Sequence, residues 1–311
     1  MNGEVELREA ACRSGGGGAH DVFCYALVDA RSSVEAFMDQ LQNSQSLSAI
    51  AAEAFDALRH ARQIGLFSAS PEGLTIDNAY RVTALVRQMY EASGSKVLGR
   101  KIGFTNRTIW SQYGVYAPIW GYVFDSTTHD LSTVEALPLH PFSEPRIEPE
   151  IIFGLRTAPS AQMTDVSLSS CIAWVALGFE IVQSIFPGWK FSASDTVAAN
   201  GVHGALLIGP RQPFAPDAAE WVRRLSAFQI DLTCNRTLID RGHSGNVLDG
   251  PLSALRHLVE LLAREPVNPP LAAGEIVSTG TLTKAMPVAP GEVWAAKPTG
   301  IALDEIRLRF T

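Results

Sequence analysis

The sequence predicts an α+β fold with its helices first and its strands afterwards, and three observations carry that expectation. Apolar residues recur at helical spacing in the N-terminal third and then give way, after Gly94, to short apolar runs punctuated by Gly and Pro. No internal repeat occurs. Strands and helices do not alternate as a doubly wound sheet would require.

The elements follow in order. Residues 1–21 contain Gly15-Gly16-Gly17-Gly18, which has high backbone entropy and nothing to pack, so a mobile tail is expected there. A helical region is expected over 22–95. Its first helix spans 33–63, with Ala51, Ala54, Phe55 and Leu58 in one stripe. A second helix starts at Thr75 as N-cap, runs through Tyr80, Leu85 and Met89, and stops near Gly94. The β-rich catalytic domain is expected over 96–311, with strands at 101–104, 147–155, 172–183, 204–208, 227–234, 275–279 and 301–310. One later helix, 252–264, puts Leu255, Leu258 and Leu262 on one face and ends before Pro266.

Composition narrows the function. With 311 residues, 46% of them hydrophobic, the chain is long enough for a large core. A net charge of −7 argues against a nucleic-acid footprint and leaves a small molecule as the expected partner. Cys12, Cys24, Cys171 and Cys234 are widely spaced and form no Cys-x-x-Cys, so a reducing cytoplasm is the expected home. The N-terminus has no apolar segment of the signal-peptide kind, and the longest apolar stretch, 171–182, is too short to span a bilayer. No membrane attachment is expected.

The chemistry is expected where charge sits out of place. Glu148 and Glu150 stand one residue apart in Pro145-Arg146-Ile147-Glu148-Pro149-Glu150-Ile151-Ile152-Phe153. On a strand, side chains at i and i+2 share a face about 7 Å apart, so both carboxylates can converge on one cation. Burying them unpaired would cost several kcal/mol each. Two readings stay open from these residues alone: a divalent-metal site, or a solvated edge strand marked by Pro149. Arg146 could pair with either Glu and is the structural competitor to a metal. Glu180 is a further lone carboxylate in an apolar run, Val175-Ala176-Leu177-Gly178-Phe179-Glu180-Ile181-Val182.

Other motifs fail. Gly94-Ser95-Lys96-Val97-Leu98-Gly99-Arg100-Lys101 follows a helix and precedes a strand, the reverse of a phosphate-binding loop. No Gly-x-Gly-x-x-Gly, Gly-x-Ser-x-Gly or His-Glu-x-x-His occurs, and the seven histidines show no metal-ligand spacing. An oxygen-only carboxylate site points to Mg²⁺ or Mn²⁺ rather than Zn²⁺.

Several ordered segments together resemble the hydratase/decarboxylase branch of the fumarylacetoacetate hydrolase superfamily, which includes 2-hydroxypenta-2,4-dienoate hydratases and 4-oxalocrotonate decarboxylases. They are Asp77-Asn78-Ala79-Tyr80, Gly99-Arg100-Lys101-Ile102-Gly103-Phe104-Thr105, Gln112-Tyr113-Gly114-Val115, Pro118-Ile119-Trp120-Gly121 and Glu148-Pro149-Glu150. Glu180-Ile181-Val182, Asp195-Thr196-Val197-Ala198-Ala199-Asn200, Thr279-Gly280-Thr281-Leu282-Thr283 and Pro287-Val288-Ala289-Pro290-Gly291-Glu292 continue the match, which spans roughly 76–310. The resemblance implies a fumarylacetoacetase-like β-rich domain with a mixed, barrel-like core, found in homo-oligomers, with a complex with a pathway enzyme as a further partner.

By the same resemblance Glu148, Glu150 and Glu180 are the metal ligands, and Lys101 faces a 2-oxo acid substrate. That acid would chelate the metal through its carboxylate and 2-oxo oxygen, so charge developing on that oxygen in a dienolate meets a fixed cation. Lys101, Ile119, Trp120, Asn200 and Thr281 are the candidates for substrate contact, and Lys101, Asp125 and His203 for proton handling. Trp189, Phe186 and Phe191 flank the motifs and suit core packing or a substrate wall.

Departures from the family matter. Ile119 stands where the hydratases carry an acid, with Asp125 the nearest carboxylate in sequence. Gln183 and Ile185 replace an Asp and an Arg behind Glu180, and Gly201, Val202 and His203 stand where small hydroxyl residues are common. The expected activity is a metal-dependent lyase, hydratase first. Decarboxylation, acylpyruvate C–C hydrolysis and a non-catalytic scaffold are the alternatives.

Overall fold

The computed structural model describes residues 44–107, 110–113 and 115–311. The tail expected over 1–21, the start of the first helix and Gly114 lie outside the described residues. Contacts divide the chain into Met1–Leu47 and Ser48–Thr311; residues 44–47 of the first unit are helical, and the second carries both sheets found among the described residues.

Helix α1 covers 48–59 and ends at a turn where Ala61 takes a positive φ of 49°, short of the expected 63. Helix α2, Ile76–Ala92, begins as expected, with the Asn78 amide donating to the Thr75 hydroxyl at 3.2 Å. Strands β1, Val97–Gly103, and β2, Ile119–Phe124, pair antiparallel. β2 was not legible as a strand because it is buried on both faces and shows no alternation. The short helix α3, Trp110–Tyr113, lies between them in sequence. Strand β3, Thr128–Asp130, follows a turn at Asp125–Thr127.

Strands β4, Arg146–Leu155, and β5, Ile172–Val182, form the longest pairing, with helix α4, Asp165–Ser170, between them in sequence. Helix α5, Ala193–Ala198, precedes β6, His203–Ile208, and a short β7, Gln212–Pro213. Then come α6, Ala218–Leu225; β8, Gln229–Cys234; β9, Thr237–His243; α7, Pro251–Leu262; and β10, Ile276–Thr281. Strands β11, Met286–Pro287, β12, Val293–Thr299, and β13, Ile306–Arg309, complete the chain. The strand expected over 301–310 is only β13, because Gly300, at φ 89°, turns the chain after β12.

Nine strands form a curled mixed sheet in the order β2-β1-β10-β4-β5-β6-β3, with β11 on β4 and β7 on β5; β13-β12-β8-β9 form a second sheet. Strand parity sorts the large sheet into two faces. Ile102, Trp120, Ile151, Phe179, Ile181 and Val277 belong to the main core. Val123, Ile152, Ala176, Leu206 and Ile276 cluster on the other face, in register with Lys101, Glu148, Glu150 and Glu180.

The edge-strand reading of Pro149 does not hold. β4 lies inside the sheet, between β10 and β5, and Glu150 is fully buried. Pro149 is tolerated because the β10–β4 register slips between Ser278 and Thr281, so a bulge replaces regular pairing there. No helix among the described residues is long and apolar enough to cross a membrane. Cys171 and Cys234 are free thiols.

Candidate active site

The site is built where neighbouring strands bring four charged side chains to one face. The β4–β5 register sets Glu148 directly opposite Glu180, and Glu150 follows two residues along. One carboxylate oxygen from each of the three lies within 4.8 Å of the others. Glu150 and Glu180 are fully buried, and half-buried Glu148 opens onto a cavity of ≈ 130 Å³.

Each carboxylate is oriented by its own donors. Glu150 Oε2 accepts from the Ser278 hydroxyl at 2.6 Å and from the Gly280 amide at 2.8 Å. The β10 bulge aims that amide, and Gly280 must be glycine: its φ is 101°, and a Cβ would sit 2.3 Å from Thr105 Oγ1. Glu180 Oε2 lies 3.2 Å from Lys101 Nζ, and Glu180 Oε1 lies 2.8 Å from His203 Nδ1. Lys101 Nζ also donates to the Gly201 carbonyl at 3.0 Å.

That carbonyl is delivered by a tight left-handed turn, with Asn200, Gly201 and Val202 all at positive φ between 52° and 64°. Val202 is β-branched, so this turn stores strain beside the cavity. The turn is clamped to β2: the Asn200 side chain accepts from Tyr122 N at 2.7 Å and donates to Tyr122 O at 2.9 Å. Gly121 leaves room for it, since a Cβ there would lie 2.3 Å from Asn200 O.

The electrostatics follow from burial. Burial would lower the Lys101 pKa, but Glu180, Glu148 and Glu150 together outweigh it and hold the ammonium above its ordinary value. Burial, reinforced by Glu180 and opposed by Lys101 and Arg146, pushes Glu148 up to about 7. Burial and the two neighbouring carboxylates raise Glu150 well above the usual carboxylate range. Glu180 ends below that range because Lys101 and His203 overcome its burial. Glu150 Oε1 is buried with no hydrogen-bond partner among the described residues. Three hard oxygen donors around an orphaned carboxylate oxygen fit a divalent cation of the Mg²⁺ or Mn²⁺ kind.

One expected result follows directly. A cation entering the triad competes with protons on carboxylates whose pKa values are raised, Glu148 to about 7, so binding should release protons and tighten as pH rises through about 7. Calorimetry in buffers of different ionisation heat reads the release. The metal-free fold should behave oppositely. With its folded pKa of about 7 raised above the ordinary 4.5, Glu148 binds more protons folded than unfolded, and stability falls as pH rises across that window.

The other candidates are placed as follows. Lys101, Ile119 and Thr281 line the cavity. Trp120 is a correction: as the neighbour of Ile119 on β2 it points to the opposite face, buried and stacked on Tyr80 with ring centres 4.8 Å apart. Asn200 is also corrected, because its amide is spent on Tyr122 and does not line the cavity. Asp125 is exposed and accepts from Lys96 N at 2.8 Å, which makes it a turn former outside the cavity rather than a proton donor. His203 is buried behind Glu180 and is not part of the cavity wall.

Arg146 does not pair with Glu148 or Glu150 within ion-pair distance. Its guanidinium lies over Trp189, 4.2 Å from the ring centre. Trp189 and Phe191 line the cavity, whereas Phe186 is fully buried. Ser278, Gly280, Gly201 and Thr127 carry the hydrogen bonds around the triad, and the residues alone did not assign them a role. A glycine near a strand end, two residues after Ser278, is the one available signal, since glycine there marks a bulge or close approach.

No protein-family model matches the chain. Among curated proteins it is 30% identical to a 2-hydroxyhexa-2,4-dienoate hydratase of Comamonas testosteroni over 241 residues, covering 76% of this chain and 88% of that one. It is 28% identical to a 2-keto-4-pentenoate hydratase of Paraburkholderia xenovorans over 257 residues, 82% of this chain and 91% of the other. Among solved structures, the fold matches 4-oxalocrotonate decarboxylase from Pseudomonas putida G7, complexed with magnesium and adipate. The TM-score is 0.77 and the identity 24%, over 86% of this chain and 98% of that one. The sequence relatives and the shared fold agree with the triad geometry: the chain belongs to the hydratase/decarboxylase branch of the fumarylacetoacetate hydrolase superfamily.

Proposed function

We propose that this chain is a divalent-metal-dependent lyase that hydrates a 2-hydroxydienoate or 2-oxo acid, with Glu148, Glu150 and Glu180 as the metal ligands. The observation that carries the reading is the convergence of three carboxylates, two of whose oxygens, Glu150 Oε1 and Glu180 Oε2, are buried without a hydrogen-bond partner among the described residues, beneath a small cavity that also holds Lys101. A bound divalent cation supplies a Lewis acid for the carboxylate and 2-oxo oxygen of such an acid.

Lys101 supplies the rest of the charge. Its ammonium has three donors, of which Gly201 O and Glu180 take two, leaving one for a substrate oxygen. Because it stays charged, it acts as a donor that stabilises negative charge rather than as a base. Ile119, Val202 and Phe191 give the cavity apolar walls suited to an unsaturated carbon chain, and they limit water near the reacting carbons.

A second reading, decarboxylation, draws on Arg146. Its guanidinium lies at the cavity, held over Trp189 and without an ion-pair partner within 4 Å among the described residues, as recognition of a second carboxylate would need. Ile119 adds to it, since no acid lines that part of the cavity.

One experiment tests both readings. Chelation should abolish loss of the dienoate's ultraviolet absorbance, and added Mg²⁺ or Mn²⁺ should restore it. Turnover indifferent to chelation would overturn the metal-dependent proposal. Carbon dioxide released from a dicarboxylic 2-oxo acid, with no hydration of monocarboxylic dienoates, would select the second reading.

A further inference from the structure

We propose that His203 and Thr127 form a positioning pair that locks the Glu180 carboxylate in one orientation, with His203 Nδ1 as the donor to Glu180; this rests on the triad being the metal site. The register of β6 on β5 places His203. Ile181 faces Ala205, but Val182 faces His203, so Gly204 is an extra residue in the ladder. A Cβ at Gly204 would lie 2.6 Å from Ile181 O, which suits only glycine to that bulge. Without the bulge, His203 would fall opposite Gln183 and point to the other face of the sheet. With it, His203 shares the face of Val182 and therefore of Glu180.

The hydrogen bonds then set the proton's place. His203 Nδ1 lies 2.8 Å from Glu180 Oε1, and an ionised carboxylate only accepts, so Nδ1 must carry a proton. His203 Nε2 lies 2.9 Å from Thr127 Oγ1. The Thr127 hydroxyl accepts from Phe124 N at 3.3 Å and holds one proton to give, either to Nε2 or to Phe124 O at 3.2 Å.

The consequence concerns Glu180. His203 holds Oε1, which turns Oε2 towards Lys101 and the centre of the triad. His203 has both nitrogens engaged and no place in the cavity wall, so it acts on the site through Glu180 and does not exchange protons with substrate. A buried partner of this kind fixes a ligand's rotamer and tunes metal affinity.

The test uses the full chain and two readouts. Nitrogen-15 spectra of the metal-free imidazole should show Nδ1 protonated; a bare Nδ1 overturns the proposal. By calorimetry with Mn²⁺, His203→Leu should weaken binding ~10–100-fold. His203→Asn, whose amide nitrogen takes the place of Nδ1, should recover most of that loss. Thr127→Val should weaken binding several-fold, Thr127→Ser should not, and Thr127→Val should add nothing once His203 is Leu. Additive losses, or equal affinities of the Asn and Leu variants in folded protein, overturn it. A wild-type chain that binds no divalent ion sinks the metal reading instead, while the spectra still decide His203.

Discussion

Replacing Lys101 with Met should lower kcat by about 10²–10³ while changing KM far less, because Lys101 gives its charge where negative charge develops and little of it to ground-state binding. The same substitution should destabilise the metal-free fold. Lys101 and Glu180 form a buried pair with side chains 3% and 0% exposed, and removing one partner of such a pair costs about 3–5 kcal/mol. The loss is larger in kind here, since Lys101 is the cation that faces all three carboxylates. Added Mg²⁺ should return part of the stability but not the rate. Steady-state kinetics and thermal melts with and without metal check this, and an unchanged kcat would remove Lys101 from the chemistry.

The opposite pattern is expected for Glu150→Gln. Metal binding and turnover should be lost, because the orphaned Glu150 Oε1 becomes an amide that repels a cation. The metal-free fold should be no less stable than the wild type, and should gain over it as pH rises. Burial and the neighbouring carboxylates raise the Glu150 pKa, so an uncharged amide removes the repulsion that the ionised group meets there. Ser278 and Gly280 can still donate to the amide oxygen. Wild-type protein should gain about 2.7 kcal/mol at metal concentrations 100-fold above Kd, a shift of several degrees in Tm, and the variant none. A variant that melts far below the metal-free wild type would mark Glu150 as a structural residue.

These two variants pull in different directions because the site concentrates like charge around one cation. Stability alone would not select three carboxylates at one buried point of a sheet. Such an arrangement suits a divalent ion, which would relieve the cost that the metal-free fold bears.

Part of this was written into the chain locally. Glu148 and Glu150, two residues apart in an apolar run, share a face in any strand, and Glu180 is conspicuous in another apolar run. The N-cap at Thr75 and the leucine stripe of α7 were equally local, and both elements formed within a few residues of expectation. Trp120 could also have been excluded by local reasoning, because neighbours on a strand face opposite sides and Ile119 was already a candidate.

Other features could not be read locally. Pro149 looked like an edge marker, and only the bulge in β10, some 130 residues later, lets it sit inside the sheet. Asp125 looked like a replacement acid, yet the turn after β2 commits it to Lys96. His203 meets Glu180 because one extra residue, Gly204, shifts the β6 register.

The sequence by itself determined which residues carry the charge, the class of fold and the oxygen-only donor set of the candidate site, because side-chain chemistry and strand parity act over two or three residues. The tertiary structure decided which of those residues converge. Register, bulges and the left-handed turn at 200–202 are settled by pairing between distant segments, and a slip of one residue would send His203 to the far side of the sheet.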